Sequence, residues 1–144
     1  MADPVPARVQ TRYASLAGKR VFISGGSSGI GAELVRSFAA QGASVAFCGT
    51  RPDGGQALID EISAAGHARP WYGACDVRDT QAYQALLARL ISEQGSVQVL
   101  VNNAGRDDRH RMEDVTPDFW DDRLALNLKH YFFAIQAVDR KSVV

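Results

Sequence analysis

Ser24-Gly25-Gly26-Ser27-Ser28-Gly29-Ile30-Gly31 is a run of glycines and hydroxyl side chains suited to holding an anion. Glycines let a backbone turn tightly and approach a phosphate, and a helix that starts there offers free N–H groups. The spacing Gly25, Gly29, Gly31 is not G-x-G-x-x-G, and no Gly-Lys-Ser/Thr follows, so this is not a Walker loop. Taken alone, the run reads equally well as a tight turn. Four other places carry chemistry-bearing residues: Arg51, the pair Asp76-Val77, the segment Asn102-Asn103-Ala104-Gly105, and Asn127. The charged stretch Arg106-Asp107-Asp108-Arg109-His110 follows the asparagine pair. The 3 histidines have no metal-ligand spacing, so no metal is expected, and His110 and His130 read as surface residues.

The elements that must position these residues alternate in type. Arg20 to Ile23 is a short apolar run ending at the glycine-rich turn, and reads as a buried strand. Helical spacing begins near Gly29, with Leu34, Val35 and Phe38, and Gly42 is placed to end it. Ala43 to Cys48 reads as a second strand, and Arg51-Pro52-Asp53-Gly54-Gly55 as a turn. A second helix carries Leu58, Ile59 and Ile62 and stops near Gly66. Pro70 to Cys75 reads as a third strand. Thr80 is the expected cap of a third helix bearing Tyr83, Leu86, Leu87, Leu90 and Ile91, closed by Gly95. Val97 to Val101 is the fourth strand. Thr116, Pro117 and Asp118 form a strong helix start. The spacing of Trp120, Leu124, Leu128, Tyr131, Ile135 and Val138 predicts one buried stripe beyond it. Strand and helix thus alternate four times, which predicts a doubly wound α/β sheet with parallel strands.

The chain has 144 residues, enough for one domain with a core. A formal net charge of +0 gives no electrostatic case for nucleic acid or an anionic membrane. No apolar run reaches membrane-spanning length. Residues 1–15 are polar, contain Pro4 and Pro6, and lack the apolar stretch of a secretory signal. They read as a flexible arm ahead of a domain over 16–144, in a cytoplasmic protein. Cys48 and Cys75 sit in apolar strand-like segments and are expected as reduced thiols.

The glycine loop, Asp76-Val77 and Asn102-Asn103-Ala104-Gly105 all fall at the carboxyl ends of expected strands, where open α/β sheets bind ligands. In this order and spacing they resemble the short-chain dehydrogenase/reductase family, from about Leu16 to Val138. Ser24 stands where that family usually has Thr. The resemblance implies a Rossmann-like fold with strand order 3-2-1-4 and a nicotinamide dinucleotide cofactor. Ser24, Gly25, Ser27, Ser28, Gly29, Ile30 and Gly31 would form the phosphate cradle. Asp76 and Val77 would meet the adenine, and Asn102, Ala104 and Gly105 would line the ribose and nicotinamide side. NAD sites usually hold the ribose 2′-OH with an acid about 20 residues past the glycine loop. Here that tip reads Cys48-Gly49-Thr50-Arg51, and Arg51 suits a 2′-phosphate, so NADP is favoured over NAD; the alternatives are Arg51 as a solvated turn residue and Asp53 as the acid that reaches the ribose. Asn127, in an Asn-Leu context, takes an inherited catalytic position. The residues 106–110 and 114–123 look like the aldose-oxidising branch, with Asp107 and Asp108 at the mouth for a small-molecule polyol.

That family performs its chemistry with a Tyr four residues before a Lys, and a Ser on the preceding strand. The residues four beyond Tyr13, Tyr72, Tyr83 and Tyr131 are Ala17, Asp76, Leu87 and Ile135. The tail Asp139 to Val144 does not resemble the family. The expectation is therefore a C-terminally truncated member, inactive alone, whose homo-oligomer contacts are incomplete. The competing reading is a non-catalytic dinucleotide-binding or interaction module.

Overall fold

In the computed structural model, residues 11–139 are described. Residues 1–10 of the expected arm and 140–144 of the tail lie outside them. Four parallel strands form one sheet in the order β3-β2-β1-β4. They are β1 (Arg20–Ser24), β2 (Ser44–Gly49), β3 (Trp71–Ala74) and β4 (Val99–Val101). Helices α1 (Gly29–Ala40), α2 (Pro52–Ala64) and α3 (Thr80–Gln94) make the crossovers. The expected doubly wound sheet and its strand order are both present.

Two cores, one on each face, hold the sheet. Val21, Ile23, Val45 and Phe47 point to the face covered by α1 and α2, where Val35, Leu58, Ile59 and Ile62 meet them. Phe22, Ala46 and Cys48 point the other way, onto Tyr83, Leu87 and Leu90 of α3. The alternation follows from the two-residue period of a strand, and burial on both faces explains the continuous apolar runs.

Several expectations at element ends are corrected. Helix α2 begins at Pro52, so Gly54 and Gly55 lie in its first turn rather than in a loop. Pro at the first helical position and Asp53 beside it favour that start. A side chain at Gly55 would strike the ring of Tyr72, 2.6 Å from where its Cβ would stand. Helix α3 is capped by Asp79, whose carboxylate accepts from the Ala82 N–H at 2.9 Å, and not by Thr80. At the start of the described residues, Gln41 accepts from the Tyr13 N–H and donates to the Thr11 carbonyl.

The last helical stretch differs most. It is helix α4 (Pro117–Leu124), a π-helical segment Ala125–Lys129, and helix α5 (His130–Val138). Thr116 caps α4 as expected, accepting from the Phe119 N–H. The π turn adds a residue and rotates the face beyond it. The expected stripe is not the buried one: Trp120 and Leu124 before the π segment, Leu128 within it and Ile135 beyond it are exposed, and His130 and Ala134 are buried.

Candidate functional site

At the carboxyl ends of the strands, β1 runs into the glycine loop. Gly25 and Gly29 have φ of +69° and +55°, the left-handed region that glycine enters freely. Gly25 also lets β4's continuation come close, since a Cβ there would stand 2.9 Å from the Ala104 Cα. Gly31 is helical, but a Cβ on it would collide with the Gly25 carbonyl and lie 2.6 Å from the Asn103 Nδ2.

Asn103 stitches the loop to β4. Its Nδ2 donates to the carbonyls of Ser24 and Gly25 at 3.0 and 3.2 Å. The N–H groups of Asn103 and Ala104 both donate to the Ser24 hydroxyl at 3.0 Å. Ser24 is therefore an internal tie, fully buried, and not an open wall of the cradle as expected. Asn103 was not singled out from the sequence. The signal available was its place beside Asn102 at a strand end, where a buried amide must find partners.

The resulting cleft has a volume of about 360 Å³, within the usual range for small-molecule sites of roughly 300–1,000 Å³. Gly25, Ser27, Ser28, Ile30 and Gly31 form one side of it. The helix behind them begins unsatisfied: Ser28 makes no side-chain bond to α1, whereas Asp79 and Thr116 cap α3 and α4. The first turn of α1 has no side-chain acceptor for its amides, and Ile30 and Gly31 of that turn line the cleft. Ile30 is exposed at its lip.

Arg51 and Asp76 are the charged residues of the cleft wall. Arg51 precedes α2 at the tip of β2 and is exposed. Asp53 does not line the cleft. Asp76 accepts from Arg78 Nη2 at 2.6 Å and from its Nε at 3.0 Å, and also from the Arg78 N–H. These bonds hold its carboxyl below the ordinary range, so it stands ionised. Val77 is buried under it.

Ala104, Gly105 and Leu126 close the far side. Asn102 does not line the cleft; its Oδ1 is buried without a donor. Asn127 lies in the π segment and clasps the chain after the asparagine pair. Its Oδ1 accepts from the Arg106 N–H at 2.7 Å, and its Nδ2 donates to the Arg106 carbonyl at 3.0 Å. A second hollow of about 270 Å³ lies beyond it, lined by Asp107, Asp108, His110, Phe119 and Arg123 among others. Asp108 bridges Arg106 and Arg123 at 2.8 and 2.9 Å. Arg123 also lies over the Phe119 ring. The structure thus brings the glycine loop, Arg51, Asp76, Ala104 and Gly105 to one cleft, and gathers Asp107 and Asp108 beside Asn127 at the next. Contrary to expectation, His130 is not a surface residue. Its Nε2 lies 2.9 Å from the Ala104 carbonyl.

A glycine-lined cleft at the carboxyl edge of a doubly wound parallel sheet, with an uncapped helix start aimed into it, defines a nucleotide-binding α/β protein. The short chain dehydrogenase family model matches residues 19–142, and the chain belongs to that family. It is 48% identical over 126 residues to a D-xylose 1-dehydrogenase of Caulobacter vibrioides, covering 88% of this chain and 49% of that one. It is 42% identical to a probable galactose dehydrogenase of Rhizobium meliloti, covering 89% and 50%. A metagenomic short-chain oxidoreductase solved in complex with NADP superposes with a TM-score of 0.80 at 32% identity, over 85% of this chain and 56% of that one. The chain spans about half the length of the curated relatives it matches.

Proposed function

We propose that this chain is the dinucleotide-binding portion of an NAD(P)-dependent oxidoreductase acting on a sugar or a related hydroxyl or carbonyl compound. The observation that carries the reading is the open start of α1: amides left free by Ser28, fronted by Gly25 and Gly31, beside the lone cation Arg51 of the cleft wall. Such a start holds a pyrophosphate. The glycine positions fit the group, because Gly25 and Gly31 leave no room for a Cβ against Ala104 and Asn103, so that bare backbone lines the cleft there. When bound, the nicotinamide supplies the hydride exchange. Arg51 is placed for a 2′-phosphate, with no acid from the β2 tip to compete, which supports NADP over NAD. Asp76, held by Arg78, presents a fixed carboxylate at the adenine end. Asn127 sets the wall on the nicotinamide side by clasping Arg106. The relatives' names support a sugar substrate, and Asp107 and Asp108 offer hydroxyl acceptors at the mouth.

The 144 residues contain no Tyr-x-x-x-Lys, so these residues by themselves are proposed to bind cofactor without turnover. The exposed row Trp120, Leu128, Phe132 and Ile135 supports association with a second copy, in keeping with a homo-oligomeric family. Calorimetric titration with NADPH and NADH tests the proposal. The expected result is saturable binding with NADPH at least about tenfold tighter, a preference lost in Arg51→Ala. A chain that binds neither nucleotide sinks the cofactor reading. Undiminished NADPH preference in Arg51→Ala sinks the NADP reading alone. Dehydrogenase activity of the chain across sugars and carbonyl compounds sinks the claim of inactivity.

A further inference from the structure

Beyond Val101 the chain leaves the sheet, and residues 102–110 run without regular structure. The cleft wall formed by Ala104 and Gly105 therefore has no strand partner and must be held by side chains. Asn127 takes both backbone groups of Arg106. Ala104 is held in the same double manner. Its N–H donates to Ser24, and its carbonyl faces the Nε2 of His130 at 2.9 Å. On its other side Ala104 abuts Gly25, with no room for a Cβ between them.

His130 begins α5 and is only 1% exposed. Its ring stands edge-on to Tyr83 of α3, at 5.9 Å, and to its neighbour Tyr131, at 4.5 Å. A carbonyl can only accept, so Nε2 must carry the proton, and Nδ1 is the bare nitrogen. That Nδ1 is buried and meets no hydrogen-bond partner of good geometry, the Leu126 backbone being the polar group beside the ring. An apolar residue would fill this space without orphaning a nitrogen, so packing does not explain a histidine here. Holding the Ala104 carbonyl does.

We infer that His130 is a positioning residue for the cofactor cleft: as a neutral imidazole with its proton on Nε2, it fixes Ala104, and through Ala104 the wall facing the glycine loop. The inference rests on the reading of the cleft as a dinucleotide site. Asn127 cannot substitute for it, because it holds Arg106, and Ser24 takes only the Ala104 N–H, leaving the carbonyl to His130. His130 does not itself line the cleft and acts on it through the Ala104 carbonyl.

The test joins NADPH titration of the wild-type protein, His130→Phe and His130→Gln to long-range ¹⁵N NMR of the His130 ring at pH 7.5. Phe keeps a ring but removes the donor; Gln places an amide N–H at a similar reach. The expected results are an Nε2–H tautomer, NADPH binding weakened about tenfold in His130→Phe, and recovery to within about threefold in His130→Gln. Melting curves establish that each variant is folded. Wild-type affinity in folded His130→Phe overturns the positioning role while leaving the cofactor reading intact. If His130→Phe does not fold, an imidazolium or an Nδ1–H tautomer in the wild type, or weakened binding in folded His130→Gln, overturns it instead. A wild-type protein that takes up no NADPH removes the cofactor reading, and the positioning role with it.

Discussion

Gly31→Ala is the substitution whose outcome the structure constrains most tightly. Gly31 is helical and its φ is not positive, so alanine meets no backbone strain there. By intrinsic propensity alone the change stabilises α1 by about 1 kcal/mol. Against this, the new methyl collides with the Gly25 carbonyl and stands 2.6 Å from Asn103 Nδ2. Neither neighbour is a flexible chain end: the Asn103 amide holds that same carbonyl and the Ser24 carbonyl. Overpacking of this kind costs about 1–3 kcal/mol, so the net loss is roughly 0–2 kcal/mol. For a domain of this size the melting temperature falls by up to about 8 °C. Binding suffers more, because the displaced carbonyl belongs to the phosphate cradle. Losing one charge-assisted amide–phosphate bond, about 1.5–3 kcal/mol, weakens NADPH at least tenfold, to roughly 150-fold at the upper end. Gly29→Ala is the control. A Cβ there meets nothing within 4 Å, and only its φ of +55° opposes the change. Calorimetry and thermal melts of both variants suffice. Unchanged affinity in Gly31→Ala, with the protein folded, refutes the placement of the cradle.

Three further outcomes follow from single contacts. Asp79→Ala removes the cap of α3 and is expected to destabilise the fold by about 1 kcal/mol in urea titration, while Thr80→Ala, which caps nothing, stays within about 0.5 kcal/mol of wild type. Cys48 is fully buried, and burial pushes its thiol up to about 12, so it should resist alkylation at pH 8 until the protein is unfolded. Burial holds the His130 imidazole below its ordinary value, against two tyrosines and backbone carbonyls. The folded state then binds that proton less readily than the unfolded chain. Its contribution is complete above about pH 6.5 and declines as pH falls from there through the lower folded value. Urea stability followed from pH 8 to 5 should show this decline, and His130→Gln should lack it; the carboxylates of Asp76 and Glu61, also held low, lose their contribution only below about pH 4.

Much of the fold was legible because it rests on patterns that act locally. Val21 to Ile23 and Val45 to Cys48 are apolar throughout, as strands covered on both faces must be, and Gly42, Gly66 and Gly95 end their helices at positive φ. The start of α2 was missed because Gly54 and Gly55 look like a turn. Their reason for being glycine lies elsewhere in the chain, in the Tyr72 ring and the Ser27 carbonyl that crowd them. A local reading cannot see a neighbour brought up by the sheet.

The site divides the same way. Gly25, Gly31, Arg51 and Asp76 were found because their types and their places at strand ends carry the signal themselves. Ser24, Asn103 and His130 were misread or passed over because their partners are backbone groups, which leave no trace in side-chain chemistry. A buried serine or histidine reads as apolar neighbourhood or as surface until one asks which carbonyl or amide has lost its strand. Here the chain between Val101 and Pro117 leaves the sheet, and the buried backbone of Ala104 and Arg106 needs donors and acceptors from outside it. The π segment supplies them: it sets Asn127 toward Arg106 and places His130 toward Ala104 within one turn. The stripe from Trp120 to Val138 was misassigned to the core because the residues that meet the cleft wall, Asn127 and His130, are polar and lie off it.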